Sequence, residues 1–533
     1  MVDANRDGEL TVGQEKTSQQ KPFRFWVNSD QDDLPEKETL PVTSTDYADG
    51  QIKTVRDLED FTRLNIYLGG LHEAITQGNF KIGLKWKNTT GSPSIKVWRN
   101  LSPDGGMDYL SDETYPPVAQ QHLSLTNPGH VQGSGAYIIP TQFWQDVGLS
   151  AANPTGFFLF EGAGEGKGEL VMTIHSSSGA EIGEASGVWL HLVDVRKMFE
   201  RAKGTPESIP YPHDYAYPHE DPPEPQIGWV PDPYGHPFDS SPTSWAEADH
   251  YITWVHGWNW TYEVAQNNAE TTFKRLWQRG YRGRFASFRW PTLVGTVFPG
   301  TFNDSEYRAW KYGEGLRQYV ASLPSGYSKQ IMAHSMGNIV VGSALKKGMV
   351  IENYALLNAA LSALAYDANA PIHWSYTTPD DDPDAGTRAL AYLNQLSTVG
   401  GTLINFHLQN DFATTVAWEA NNWLFKPQRF NGGVTGYYYD RSASAGQKLG
   451  ISFATSIGRF VRTADEAMAY VDQSRSKTAG AEPAALGSID RRVDMDSSFG
   501  FGTQHGAEWE RPIQLTTPFF NRVLDEFGIP FLP

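Results

Sequence analysis

The sequence predicts a multidomain chain: an α/β domain of mostly parallel strands flanked by helices over residues 246–533, preceded by a β-rich domain over 51–200 that reads as a sandwich. Two observations carry this. Downstream, apolar runs near 250–256, 284–290, 329–333, 353–360 and 402–408 alternate with stretches of helical composition at 263–279, 306–322, 337–347 and 387–396. That alternation builds strand–helix–strand units and a parallel sheet. Upstream, Phe80-Lys-Ile-Gly-Leu-Lys-Trp-Lys alternates apolar with polar or glycine residues, and Ser94-Ile-Lys-Val-Trp and Gly168-Glu-Leu-Val-Met-Thr-Ile-His are two further strands. Gly and Pro clusters separate these runs, as strand ends require.

Length and charge bound the rest. A chain of 533 residues is too long for one core, so two or three domains are expected. The formal charge of −18 argues against nucleic acid or an anionic membrane as partner and favours a soluble protein acting on neutral or cationic material. With no cysteine, disulfides, thiol nucleophiles and thiolate metal sites are excluded. No apolar run approaches the ~18 residues of a membrane span, and no apolar signal region is present. The lack of cysteine suits an exported bacterial protein; a secreted or cell-surface location is the expectation, the cytoplasm the alternative. Oligomeric state is not legible.

In chain order, residues 1–50 form an acidic segment opening with Asp3-Ala-Asn5-Arg-Asp7-Gly8. Oxygen-bearing side chains at alternate positions, then glycine at the bend, follow the first half of an EF-hand calcium loop and resemble the loops of dockerin modules. The resemblance implies a structural Ca²⁺ held by Asp3, Asn5 and Asp7. Position twelve is Gln14 rather than an acid, so Asp30, Asp32 and Asp33 are the acids left to complete the coordination. Within 51–200 a carbohydrate- or surface-binding role competes with that of a packing platform, which is preferred. Residues 201–245 read as a linker: from 206 to 242 lie eleven of the chain's 33 prolines. Two insertions, 365–384 and 424–498, interrupt the α/β pattern as lid-like segments.

The chemistry gathers in the α/β domain. In Lys329-Gln-Ile-Met-Ala-His-Ser335-Met-Gly337, an apolar strand stops, a serine follows, and a helix begins at once. Such a turn needs very small residues two positions either side of the serine, here Ala333 and Gly337. Upstream, Tyr251-Ile-Thr-Trp-Val-His256-Gly257-Trp258 is a second strand breaking at His-Gly. Downstream, Thr402-Leu-Ile-Asn-Phe-His-Leu leads to Asp411, and Gly502-Thr-Gln-His505-Gly places a histidine in a Gly-rich loop.

These motifs make residues 246–533, a little over half the chain, resemble the α/β-hydrolase superfamily of serine esterases and lipases, with Ala333 a departure from the usual G-x-S-x-G. The resemblance implies Ser335 as nucleophile, His505 as general base, Asp411 as its orienting acid, and the N–H groups of Trp258 and Met336 as oxyanion hole. Trp260 and Trp418 would line a substrate pocket. Asp367, after the strand at 353–360, is the rival acid; His256, His334 and His407 read as structural. The implied reaction is hydrolysis of a carboxylic ester, small or polymeric, with no cofactor. An amidase or peptidase using the same residues, and a cell-surface binding protein with a hydrolase-like fold, are the alternatives.

Overall fold

A computed structural model describes residues 1–27, 58–100, 102, 104–111, 129–209, 226–232, 237–294, 300–360, 399–411, 413–414, 491–511 and 513–532. Two sheets organise them. The first holds β1 (Phe23–Val27), β2 (Phe61–Tyr67), β3 (Phe80–Arg99), β4 (Gly129–Val131), β5 (Tyr137–Ile138), β6 (Thr155–Ser176) and β7 (Glu181–Asp194). Two short helices, α1 (His72–Thr76) and α2 (Thr141–Asp146), lie between its strands.

This sheet differs from the expected sandwich of short strands. Its central members β3 and β6 run 20 and 22 residues and pair antiparallel through both halves of one continuous sheet. The strands bend at register shifts between Lys87 and Ile95. There Gly162 and Gly166 approach other backbones so closely that a Cβ would lie 2.3 Å from the Trp26 carbonyl or 2.7 Å from the Thr90 carbonyl. Only glycine lets the strands cross at that distance.

The second sheet contains eight strands: β8 (Glu200–Thr205), β9 (Gly228–Pro231), β10 (His250–Val255), β11 (Arg284–Arg289), β12 (Ser328–His334), β13 (Asn353–Leu357), β14 (Leu403–His407) and β15 (Arg491–Asp494). Their order is β15-β14-β13-β12-β10-β11-β8-β9, and every pair is parallel except β8–β9. Five strands match the expected runs. The sheet reaches further than expected, because the segment read as a proline-rich linker supplies β9, β8 starts just before it, and the end of the 424–498 insertion supplies β15. The helices are α3 (Tyr262–Gln278), α4 (Gly300–Ser322), α5 (Gly337–Lys346), α6 (Met495–Phe499), α7 (Ala507–Glu510) and α8 (Ile513–Glu526).

Strand alternation divides the core in two. Tyr251, Val255, Ile331, Ala333 and Leu356 face α4 and α5, through Trp310, Leu316, Ile339 and Val340. Their neighbours Ile252, Trp254, Met332, Ala355 and Leu357 face α3 and α8, through Phe273, Leu276, Phe520 and Val523. The same second cluster continues into Phe23, Trp26, Phe160 and Leu190 of the first sheet, so α3 is covered on both sides.

That double burial explains why α3, capped by Thr261 at the Val264 N–H, hides charged residues at its end. Arg275 Nε meets Glu59 Oε1 at 2.9 Å with both side chains 1 % exposed, and Lys274 meets Asp60 at 2.7 Å. Gln278 donates to the carbonyls of Glu59 and Phe61. Charges so deep persist only when paired and hydrogen-bonded. The β-rich region is thus joined to α3 by named buried pairs. Among the described residues no helix is long and apolar enough to cross a membrane.

Candidate active site

The strand order reverses at β10: the chain passes from β10 to β11 on one side, then returns to β12 on the other. A crevice opens at the carboxyl ends of the strands at such a reversal. Ser335 directly follows β12 there, buried, with φ of +51°, in the left-handed region that a serine seldom adopts. The conformation is held from all sides. Its N–H donates to the Leu357 carbonyl, and its carbonyl accepts from the Ala360 N–H and from Asn338 Nδ2. Asn338 also donates to the Ala333 carbonyl and accepts from the Tyr354 hydroxyl.

The small flanking residues are required by contact. A Cβ at position 337 would lie 2.5 Å from the His256 carbonyl and 2.7 Å from that of Val255, so β10 passes directly over the first turn of α5. Ala333 is fully buried.

The loop after β10 abuts the serine: a Cβ on Gly257 would be 3.0 Å from Ser335 Cβ. His256 fixes this loop. Its Nε2 must accept from the Trp290 N–H at 3.1 Å, so the proton lies on Nδ1, which donates to the Gly257 carbonyl at 2.8 Å. Burial pushes the His256 imidazole down to about 3, so it stays neutral in this tautomer. A trans peptide points its N–H opposite its carbonyl, so fixing the Gly257 carbonyl also fixes the direction of the Trp258 N–H. The Met336 N–H opens α5 and has no acceptor among the described residues. It lies at the positive end of the helix.

Asp411 and His505, 94 residues apart, are brought into contact. His505 Nδ1 donates to Asp411 Oδ2 at 2.6 Å, which leaves Nε2 as the basic nitrogen of the neutral ring. Asp411 is fully buried; Thr414 Oγ1 and the Ala413 N–H also donate to it. Burial would raise its pKa, but the hydrogen bonds and charge of His505, with those from Thr414 and Ala413, hold it below the usual carboxylate range. The His505 backbone is clamped beside the serine: its carbonyl accepts from His334 Nε2 at 3.0 Å and from Asn358 Nδ2 at 2.9 Å. Among the described hydrogen bonds none joins His505 to the Ser335 hydroxyl. Such bonds are often long without substrate and tighten in the complex.

His334, read from sequence as structural, is fully buried and held well below its ordinary pKa, chiefly by burial and then by neighbouring His505. Trp260, expected to line a substrate pocket, is half-buried beside the site. Its ring stacks on His334 at 5.3 Å and His256 at 6.0 Å and meets Trp509 edge-on at 5.7 Å, forming the packed floor of the site. Trp290, Asn338 and Asn358 were not singled out in the sequence. Asn358, with φ of +43° at a strand end, left a faint signal, since asparagine tolerates that conformation best after glycine. Trp418, Asp367 and the insertion 365–384 lie outside the described residues, as does 424–490.

The amino-terminal loop that carries the calcium-like pattern is held by hydrogen bonds within itself and by one guanidinium. Asp3 pairs with Arg63 at 3.2 Å and accepts the N–H groups of Asp7 and Gly8, while Asn5 and Asp7 bond each other and the loop amides. A guanidinium thus already faces the first donor. Among the described residues no group of three or more acidic or histidine side chains is placed to hold a metal. Asp30, Asp32 and Asp33 lie outside them.

Comparison with known proteins agrees with this architecture. No curated protein matches the sequence. Residues 243–388 match the model of a family described as an alpha/beta hydrolase of unknown function (DUF900). That span includes β10 with its His-Gly loop and the turn at Ser335, and stops short of Asp411 and His505. Residues 243–388 are thus similar to an α/β-hydrolase domain, in keeping with the parallel sheet they share in.

Proposed function

We propose that the protein is a serine hydrolase that cleaves carboxylic esters through an acyl-enzyme on Ser335. The observation that carries the reading is the Asp411–His505 hydrogen bond, formed across 94 residues and tied by the His505 carbonyl to the residue preceding a left-handed Ser335. With Nδ1 committed to Asp411, His505 Nε2 takes the proton as Ser335 Oγ attacks the acyl carbon. The oxygen that becomes negative faces the Met336 and Trp258 N–H groups. The C–O bond to the alcohol then breaks, with His505 returning the proton to the leaving oxygen. Water, deprotonated by the same Nε2, attacks the acyl-serine, and the carboxylic acid leaves as Ser335 regains its proton.

A panel of p-nitrophenyl esters of increasing acyl length, with fluorophosphonate labelling, tests this. Wild type is expected to turn over the esters and to be labelled at Ser335. Ser335→Ala should lose both, and Asp411→Asn should drop kcat by about 10⁴. A folded Ser335→Ala retaining most activity would refute the nucleophile. Absence of labelling and turnover in wild type would point to a binding role, and faster cleavage of a matched anilide would move the reading to an amidase.

A further inference from the structure

Loops preceding β10 and β11 lie at the edge of the sheet opposite Ser335. There the amino-terminal segment, β1 and the 237–247 loop line a cavity of about 310 Å³. That volume lies at the lower end of the range used by small-molecule sites. Its walls carry five basic side chains, Arg6, Lys21, Arg24, Arg282 and Arg284, against two acids, Asp239 and Glu247. In a chain of formal charge −18 this is a local reversal of sign.

The cations are incompletely answered. Arg284 pairs with Glu247 at 3.0 Å. Arg24 reaches Asp239 at 3.5 Å and donates its terminal nitrogens to the Asp239 and Ser241 carbonyls. Its side chain is only 6 % exposed, yet its Nε is buried without an acceptor. Arg6, 3.8 Å over the Trp277 ring, donates only to the carbonyls of Trp277 and Tyr281. Arg282 makes one long bond, 3.4 Å to the Asn5 carbonyl, and the Lys21 ammonium has no partner among the described residues. Five cations against two acids leave an excess of positive charge around the cavity, which an anion would offset. Trp245, on the same wall, supplies a flat apolar surface beside these donors.

We propose that this cavity binds a small organic oxyanion, a phosphate or carboxylate whose apolar body packs on Trp245, at a site separate from the hydrolytic centre. Guanidinium forks suit both anions, and Arg282 and Lys21 hold the donors left for them. The test is calorimetric titration of the full chain with phenyl phosphate, benzoate and phenol at fixed ionic strength. Phenyl phosphate or benzoate should bind saturably at one site, and phenol, which lacks the oxyanion, should not. Arg282→Ala and Lys21→Ala should each weaken binding about tenfold and leave p-nitrophenyl acetate hydrolysis unchanged. The exposed Lys21 tolerates substitution without risk to folding. No saturable binding of either anion up to about 10 mM would overturn the proposal. So would unchanged affinity in both variants, or equal binding of phenol.

Discussion

Replacing Gly337 by alanine is the sharpest test of how the turn at Ser335 works. The new Cβ would lie 2.5 Å from the His256 carbonyl and 2.7 Å from the Val255 carbonyl, backbone atoms at and just past the end of the central strand β10. An ordinary C···O contact is about 3.3 Å, so α5 and β10 must separate by roughly 0.8 Å. The displaced groups include the Met336 N–H at the start of α5 and the loop that carries Trp258. Misplacement near 1 Å costs about 100-fold in rate, roughly 2.7 kcal/mol of barrier. We therefore expect kcat/KM on p-nitrophenyl acetate to fall about 100-fold while the far-ultraviolet circular dichroism is preserved. Gly326→Ala, where a Cβ meets nothing within 4 Å, is the matched control and should be neutral. A Gly337→Ala enzyme with wild-type kcat/KM would refute the argument that this contact sets the oxyanion geometry.

Other outcomes follow from the same structure. His256 and His334 are buried and neutral, with folded pKa values below the unfolded value of about 6.5, so the unfolded chain binds more protons and stability falls as pH drops below that value. At pH 5.5 each histidine costs about 1.4 kcal/mol, or about 2.8 together. Urea midpoints at pH 7.5 and 5.5 measure it, and a flat profile would contradict the neutral assignment. Glu59→Ala strands Arg275 in the interface between the two sheets and should destabilise by about 3–5 kcal/mol, read as a shift in the denaturation midpoint; a shift below about 1 kcal/mol would mean the pair does not lock the platform. Chelation with EGTA should leave the melting temperature unchanged, because Arg63 already occupies the Asp3 carboxylate; a calcium-dependent rise would restore the loop as a metal site.

Much of the α/β domain could be read in advance because its central strands are buried on both faces. Such strands read as continuous apolar runs, and β10, β12, β13 and β14 were placed to within a few residues. The strands that were missed are polar and short. Glu200–Thr205 and Arg491–Asp494 carry charged residues, Gly228–Pro231 lies among prolines, and no periodicity marks any of them. The sheet recruits them through backbone hydrogen bonds, which any sequence can supply. The length of β3 and β6 was not legible for a related reason: local alternation reports which face is buried but not how far a strand continues through its bends.

The site divides in the same way. The pattern at Ser335 was legible because steric limits on a tight turn restrict residue type locally, and the His-Gly break after β10 is equally local. The pairing of Asp411 with His505 was expected only by resemblance, since nothing in the neighbourhood of either residue demands the other.

The amino-acid sequence alone determined the parallel architecture and the turn that exposes a serine, since both are imposed by short-range sterics and by burial of contiguous apolar residues. Only the tertiary structure decided that Arg63 pairs with Asp3, that the amino-terminal sheet is fastened through Glu59 and Asp60, and that five cations gather around one cavity. Those are matters of which distant charges meet in a low-dielectric interior. Such meetings depend on the path of the whole chain.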